Sequence, residues 1–373
     1  MKIKTITCHD VYNVGASLQA YALMKYLSDQ DHNVEIIDYK PEYLSHHYEL
    51  FYADNPAYRK NIFTKILYVI VKLPKKIKQQ KRKRIFDDFT DNYLNLTKKY
   101  TSNKVLKEDC PKADLYIAGS DQIWNPLFQN GKDPAFYLDF APKTAIKASY
   151  AASFAVDKFP EANEKMVSEF LKKFDYISVR EKSGLDVLRQ LGITQGCEVL
   201  DPVFLLDNEK WEKLAGDMPL IHEKYILIYD FERSEMIEYI ARKIAKKYKL
   251  KIVSIFKSKN ADINFVNNGP LEFLNLIRNA EYVVSNSFHA TAFSIIFRKN
   301  FYVVGRTEKI NKRMVDLLDK IDLNNRYVVS QEFSEETIDY TFIEKKIDSC
   351  IMISKNYLKT VLGKGLKKES DEL

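Results

Sequence analysis

The sequence predicts an α/β protein of two Rossmann-like halves facing each other across a cleft. Three observations carry this. Short β-rich runs alternate with helix-length amphipathic segments, the rhythm of parallel sheets with helices on their faces. The 373 residues exceed the size at which one hydrophobic core usually stops growing. After Pro202 the rhythm starts afresh, so a boundary is expected between about Pro202 and Trp211.

In order, KIKTIT from Lys2 is expected to be the first strand, a helix follows from about Ala16 to Ser28, and VEIID from Val34 is the second strand. Strands resume at DLYIAGS (114–120), KASYAAS (147–153), DYISVRE (175–181) and EVLDPVF (198–204), with helices at 161–174 and 182–191. The second set runs YILIYDF (225–231), a helix over 234–247, LKIVSIF (250–256), a helix over 271–279, EYVVSNS (281–287), a helix over 288–297 and NFYVVG (300–305). Helices over 311–320 and 338–362 finish the chain. This divides it into 1–205, 206–345 and a terminal helix with a solvated tail, 346–373, packing back toward the first half.

Residues from about 43 to 97 interrupt the rhythm. ILYVIVKLP (66–74) is too short to span a bilayer, and KKIKQQKRKR (75–84) follows it. The expected structure is a helical hairpin whose apolar face packs on the domain and whose basic face is solvated. A peripheral membrane contact through 58–90 is the second possibility. The net charge of +7 would also allow nucleic acid. The basic run lacks interleaved aromatics, so nucleic acid is not expected. The four cysteines form neither a CxxC pair nor a disulfide framework, and the N-terminus has no apolar signal core. A cytoplasmic location is expected, at the inner face of the membrane if the insert binds lipid.

Parallel sheets bind ligands at the carboxyl ends of their strands, so each strand-to-helix junction is a candidate site. The strongest is SNSFHATAFSIIF (285–297). Ser285, Asn286 and Ser287 are good N-cap residues, and His289 falls in the first turn, where free N–H groups and the helix dipole suit a phosphate or carboxylate. DYISVREKSG puts Arg180 at a strand end, able to fork onto an anion or merely to pair with Glu181. AGSDQIWNP brings Ser120, Asp121, Gln122, Trp124 and Asn125 into one loop, a mixture of carboxylate, amide and indole suited to sugars. Asn13 and Gly15 lie at the first turn, but a single glycine is no dinucleotide fingerprint. Tyr150, Ser153 and Arg306 also fall at strand ends. No GxxxxGK[ST], HExxH, GxSxG or clustered metal-ligand set occurs.

The ordered set NVGASLQAYAL, AGSDQIWNP, SYAASF, ISVREKSG, VLDPVFLL and SNSFHATAFSIIFRKNF, from about 8 to 306, resembles the polysaccharide pyruvyl transferase family. The resemblance implies a fold similar to the GT-B glycosyltransferases, phosphoenolpyruvate as donor and a pyruvate ketal on a sugar as product, without a cofactor or metal. It puts the family's histidine at His289 and its VRE arginine at Arg180. Many members carry Arg–Leu before that histidine, where this chain has Ser287 and Phe288. The donor anion is therefore expected to rest on Arg180, Ser285, Asn286 and Ser287, with Arg298, Arg306 or Lys309. His289 is the expected general acid and Asp121 the group that orients or deprotonates the acceptor. Asn13, Gly15, Ser120, Gln122, Trp124, Asn125, Tyr150 and Ser153 are the expected acceptor side. Two other readings stand beside it: a nucleotide-sugar glycosyltransferase of the same fold, and a membrane- or nucleic-acid-binding protein acting through the insert.

Overall fold

The structure is a computed structural model. It describes residues 1–44, 49–53, 55–307 and 311–371, the side chains at 56, 59, 78 and 364–371 excepted. The first half contains β1 (Lys2–Ile6), α1 (Val14–Ser28), β2 (Asn33–Tyr39), α2 (Ile62–Tyr93), β3 (Leu96–Tyr100), α3 (Asn103–Glu108), β4 (Leu115–Ala118) and β5 (Ile146–Ser149). It continues with α4 (Glu161–Leu171), β6 (Ser178–Val179), α5 (Lys182–Gln190) and β7 (Cys197–Glu198). Among the described residues, five strands pair in the order β3-β2-β1-β4-β5, all parallel, with Ile3 opposite Val34 on one side and Leu115 on the other. The short β6–β7 pair extends this layer through isolated bridges from Ala148 to Tyr176 and from Ala152 to Val179.

The second half contains α6 (Asn208–Ala215), β8 (Tyr225–Tyr229), α7 (Glu235–Tyr248), β9 (Lys251–Ser254), β10 (Ile263–Asn264), α8 (Pro270–Asn279), β11 (Tyr282–Ser285), α9 (Phe288–Ile296), β12 (Asn300–Val304), α10 (Lys312–Lys320) and β13 (Tyr327–Val328). Its strands pair, again all parallel, in the order β10-β9-β8-β11-β12-β13. YILIY and YVVS are buried along their whole length, as strands covered by helices on both faces must be.

The halves share one core. Leu18 and Leu23 of α1 belong to the same apolar cluster as Trp211, Phe273 and Phe293. The Trp211 ring meets Phe293 edge-on at 4.9 Å and Tyr21 at 5.9 Å. The last helix, α11 (Tyr340–Asp371), starts against the second half, where Tyr340 donates to the Lys299 carbonyl at 2.6 Å. It ends against the first, where Tyr357 donates to the Ser149 carbonyl at 2.7 Å and Ser354 accepts from the Leu200 amide at 2.9 Å.

The insert departs from expectation. Instead of a hairpin it holds one 32-residue helix, α2, with Pro74 inside it. Its C-terminal part is docked: Phe86 and Phe89 are buried, and Phe86 meets the Tyr12 ring at 5.8 Å. Among the described side chains of its N-terminal part, Val69 and Lys76 are the buried ones, and the Lys76 ammonium donates to the Glu49 carbonyl at 2.7 Å. The expectation that the apolar run faces the domain is overturned. Ile62, Phe63, Ile66, Leu67, Ile70, Val71 and Ile77 are all exposed.

Candidate active site

Each sheet reverses its strand order at one place, between β1 and β4 in the first and between β8 and β11 in the second. Loops leave such a point in opposite directions and open a crevice at the strand ends. The two crevices face each other and form one cleft of about 300 Å³. Asn13 follows β1, Asp121 and Gln122 follow β4, Phe231 follows β8, and Asn286, Ser287, Phe288 and His289 follow β11; Arg306, Arg313 and Met314 complete the lining.

Two helix N-termini open onto this cleft. Asn13 caps α1, its side-chain oxygen accepting from the Gly15 amide at 2.9 Å and the Ala16 amide at 3.3 Å. Ser287 caps α9, accepting from the Ala290 amide at 3.4 Å. The polar triplet is mutually braced: the Ser287 amide donates to the Ser285 hydroxyl at 2.9 Å, and Asn286 donates to Asp230 at 2.7 Å while accepting from the Phe231 amide at 3.0 Å. Both helices therefore aim positive dipole ends at the same space.

His289 sits where they meet. Its ring lies so close to Gly15 that a Cβ there would stand 2.0 Å from Nδ1. Gly15, expected to touch the acceptor, is instead the seat of the histidine: backbone and ring approach to a distance no side chain permits. On the other edge, Nε2 faces the Asp201 carboxylate at 3.6 Å and makes no hydrogen bond among the described residues. Gly15→Ala is expected to displace the imidazole and reduce activity at least a hundredfold, on the order of what losing a positioned general acid costs. Helical content by circular dichroism should be unchanged, since alanine is a better helix former.

Asp201 was not singled out as a site residue in the sequence, and it is the hub. One of its oxygens caps the short turn at Pro202–Leu205, accepting from the Val203 amide at 3.1 Å; the other accepts from Arg180 at 2.7 Å. Burial works to raise its pKa, but His289 and Arg180 outweigh that and hold the carboxyl well below the ordinary range. Arg180 reaches on to Asp121 at 3.4 Å, and Asp121 also faces Arg313 at 3.7 Å. Charges thus alternate along Asp201, Arg180, Asp121 and Arg313, with the His289 ring at the Asp201 end. The Phe288 ring supports both guanidinium groups, at 4.7 Å from Arg180 and 5.9 Å from Arg313.

The two arginines differ in balance. Burial opposes the charge of Arg180, but Asp201, Asp121 and Glu181 outweigh it and raise its pKa. Burial and neighbouring Arg180 push Arg313 down to about 10, against the opposing pull of Asp121, Glu181 and Asp201. The Nε atoms of both arginines are buried with no hydrogen-bond partner among the described residues. Arg313 therefore lines the cleft as an under-compensated cation, whereas Arg180 lies behind Asp121 with its charge already answered.

The remaining expected residues divide. Arg306 reaches the cleft, its Nε donating to Glu232 at 3.2 Å over the Phe231 ring. Arg298 does not: it follows the far end of α9 and pairs with Glu344. Lys309 lies outside the described residues. Trp124 is fully buried, its indole N–H on the Phe136 carbonyl at 2.9 Å and its ring stacked on Tyr137 at 5.6 Å, so it staples the loop to the core and faces no sugar. Asn125 braces Gln122 at 2.7 Å from within that loop. Ser120 donates to the Ala151 carbonyl at 2.9 Å, and Ser153 donates to Glu181 at 2.8 Å; both are buried behind the cleft, as is Tyr150. The Arg180–Glu181 pair is no surface contact, since both side chains are about 1% exposed.

Fold and site together define a two-sheet α/β protein of the GT-B type, with a cleft lined by His289, Arg306 and Arg313. Residues 13–308 match the family model described as polysaccharide pyruvyl transferase, and the chain belongs to that family. No curated protein matches the sequence. Among solved structures, UDP-N-acetylglucosamine 2-epimerase from Rickettsia bellii is 12% identical and aligns over 98% of this chain and 97% of its own, with a TM-score of 0.50. UDP-GlcNAc 2-epimerase from Methanocaldococcus jannaschii aligns over 94% and 92% at 13% identity and a TM-score of 0.44. The E. coli ADP-heptose lipopolysaccharide heptosyltransferase II aligns over 95% and 100% at 10% identity and a TM-score of 0.36. At such identities the likeness concerns the fold alone.

Proposed function

We propose that this chain transfers the pyruvyl unit of phosphoenolpyruvate onto a sugar of a surface polysaccharide or its lipid-linked precursor, forming a pyruvate ketal on the cytoplasmic side of the membrane. The observation that carries the reading is the convergence of His289, two helix N-termini, Arg306 and Arg313 on one cleft that also presents Asp121 and Gln122. A small donor that carries both a carboxylate and a phosphate fits cations and helix N-termini; a polyhydroxyl acceptor fits a carboxylate beside an amide.

Overall, two sugar hydroxyls add to the enol carbon, its C–O bond to phosphate breaks, and the methylene becomes a methyl. One hydroxyl proton is matched by the proton gained at that carbon, and the other leaves with inorganic phosphate. His289, whose Nε2 lies 3.6 Å from the Asp201 carboxylate, is the proton donor. Asp121 orients the attacking hydroxyl and takes its proton. The cations and the helix N-termini stabilise the donor's carboxylate and the departing phosphate. Arg313 is the cation that Ser287 and Phe288 do not provide: it comes from α10 and rests with Arg180 on the Phe288 ring. Arg180 acts as a positioning residue that orders Asp201 and Asp121.

Phosphoenolpyruvate is expected to raise the melting temperature of the purified chain, and UDP- or GDP-sugars are not. The reverse result would favour the nucleotide-sugar glycosyltransferase. Arg313→Gln should weaken the phosphoenolpyruvate-induced shift and raise KM about 10–100-fold, the loss expected for one charge-assisted contact. An unchanged KM would remove Arg313 from the donor site.

A further inference from the structure

We infer that α2 is a docking face for an anionic membrane surface. From residue 55 to residue 86 the sequence has eleven Lys or Arg and no Asp or Glu; removing these eleven charges from the chain's +7 leaves the remainder at −4. The basic character of the protein therefore resides in this one segment. In the structure the same helix carries an exposed apolar stripe, with Phe63 77%, Leu67 63% and Val71 66% exposed, and Ile62, Ile66 and Ile70 beside them at helical spacing. Lys72, Lys75, Lys81 and Arg84 are exposed along the same helix, and Lys60 just before it.

An apolar stripe flanked by cations lies in the headgroup region, its side chains among the acyl chains and its ammonium groups on lipid phosphates. A second copy of the chain is the poorer occupant, because pairing two such helices brings like charges together. RNA would use the cations but leave the isoleucines and valines uncovered. No helix among the described residues is long and apolar enough to cross a membrane, so the contact is peripheral. The docked half of α2 also meets the loop that leads to the cleft: Arg82 donates to the Tyr12 carbonyl at 3.4 Å, next to the cap residue Asn13. Docking would hold the cleft beside the lipid surface, where a lipid-linked acceptor is presented.

Flotation of the full chain with phosphatidylcholine vesicles, with and without phosphatidylglycerol, tests this without reference to catalysis. Binding is expected only to the phosphatidylglycerol vesicles and to fall with added salt. Replacing Lys72, Lys75 and Lys81 by Gln should lower partitioning on the order of a hundredfold, each charge contributing about fivefold. Leu67→Asp with Ile70→Asp should also abolish it; these positions are exposed, so the fold and any phosphoenolpyruvate-induced thermal shift should persist. No binding to either vesicle, equal binding to both, RNA binding in place of vesicle binding, or a dimer in solution dispersed by Leu67→Asp would each overturn the inference.

Discussion

His289→Gln is expected to reduce kcat for pyruvyl transfer by about 10²–10⁴-fold, the range contributed by a positioned general acid. Phosphoenolpyruvate binding, read by thermal shift, should change little, because Arg306, Arg313 and the two helix ends remain. The split between kcat and binding is what separates a proton donor from an anion ligand. It follows from the position of the ring, seated on Gly15 and facing Asp201. A His289→Gln enzyme with wild-type kcat would remove His289 from the chemistry.

Asp201→Ala is expected to be the most damaging single change to stability. Asp201 is the nearest counter-charge to Arg180, at 2.7 Å, and both side chains are inaccessible to solvent. Removing the carboxylate leaves the buried guanidinium only its longer contacts to Asp121 at 3.4 Å and Glu181 at 3.9 Å, a loss of about 3–5 kcal/mol. The measurement is urea unfolding of the single variant against Asp201→Ala combined with Arg180→Met. The double variant should recover part of the loss, since it no longer buries an unanswered charge. The same residue sets an acid limit. Its folded pKa lies below the usual carboxylate value of about 3.9, so its stabilisation is complete above that pH and is lost as pH falls through the folded value. The wild-type chain should lose stability below about pH 4 more steeply than Asp201→Asn. Parallel acid profiles for the two would contradict this account of the hub.

Much of this was legible in the sequence because it depends on local pattern. Runs such as YILIY and YVVS can be satisfied only between two layers of helix, and a polar triplet before FHATAFSII can only cap a helix. Asp201 was harder to see. As the residue before Pro202 it reads as a simple turn cap, which it also is, and nothing local shows that its second oxygen meets Arg180 and His289. Arg313 was invisible for a similar reason: in KRMVDLLDK it is an ordinary residue of an amphipathic helix. Trp124 misled in the opposite direction, because a tryptophan in a polar loop suits a sugar platform and a core staple equally well. Arg298 shared a motif with His289, yet the length of α9 separates them.

The sequence by itself determined the alternation of the main strands and helices outside the insert, the capped helix that bears His289, and the concentration of cations on one segment. These are properties of period, cap and composition, and each is settled within a few turns of chain. Only the tertiary structure decided which strand ends face each other, that Gly15 is the seat of His289, that Asp201 and Arg313 complete the charge chain, and that α2 leaves its apolar stripe uncovered. Those facts depend on contacts between residues from about twenty to nearly three hundred positions apart. Such contacts form when the two sheets close on a shared core, and no local pattern records them.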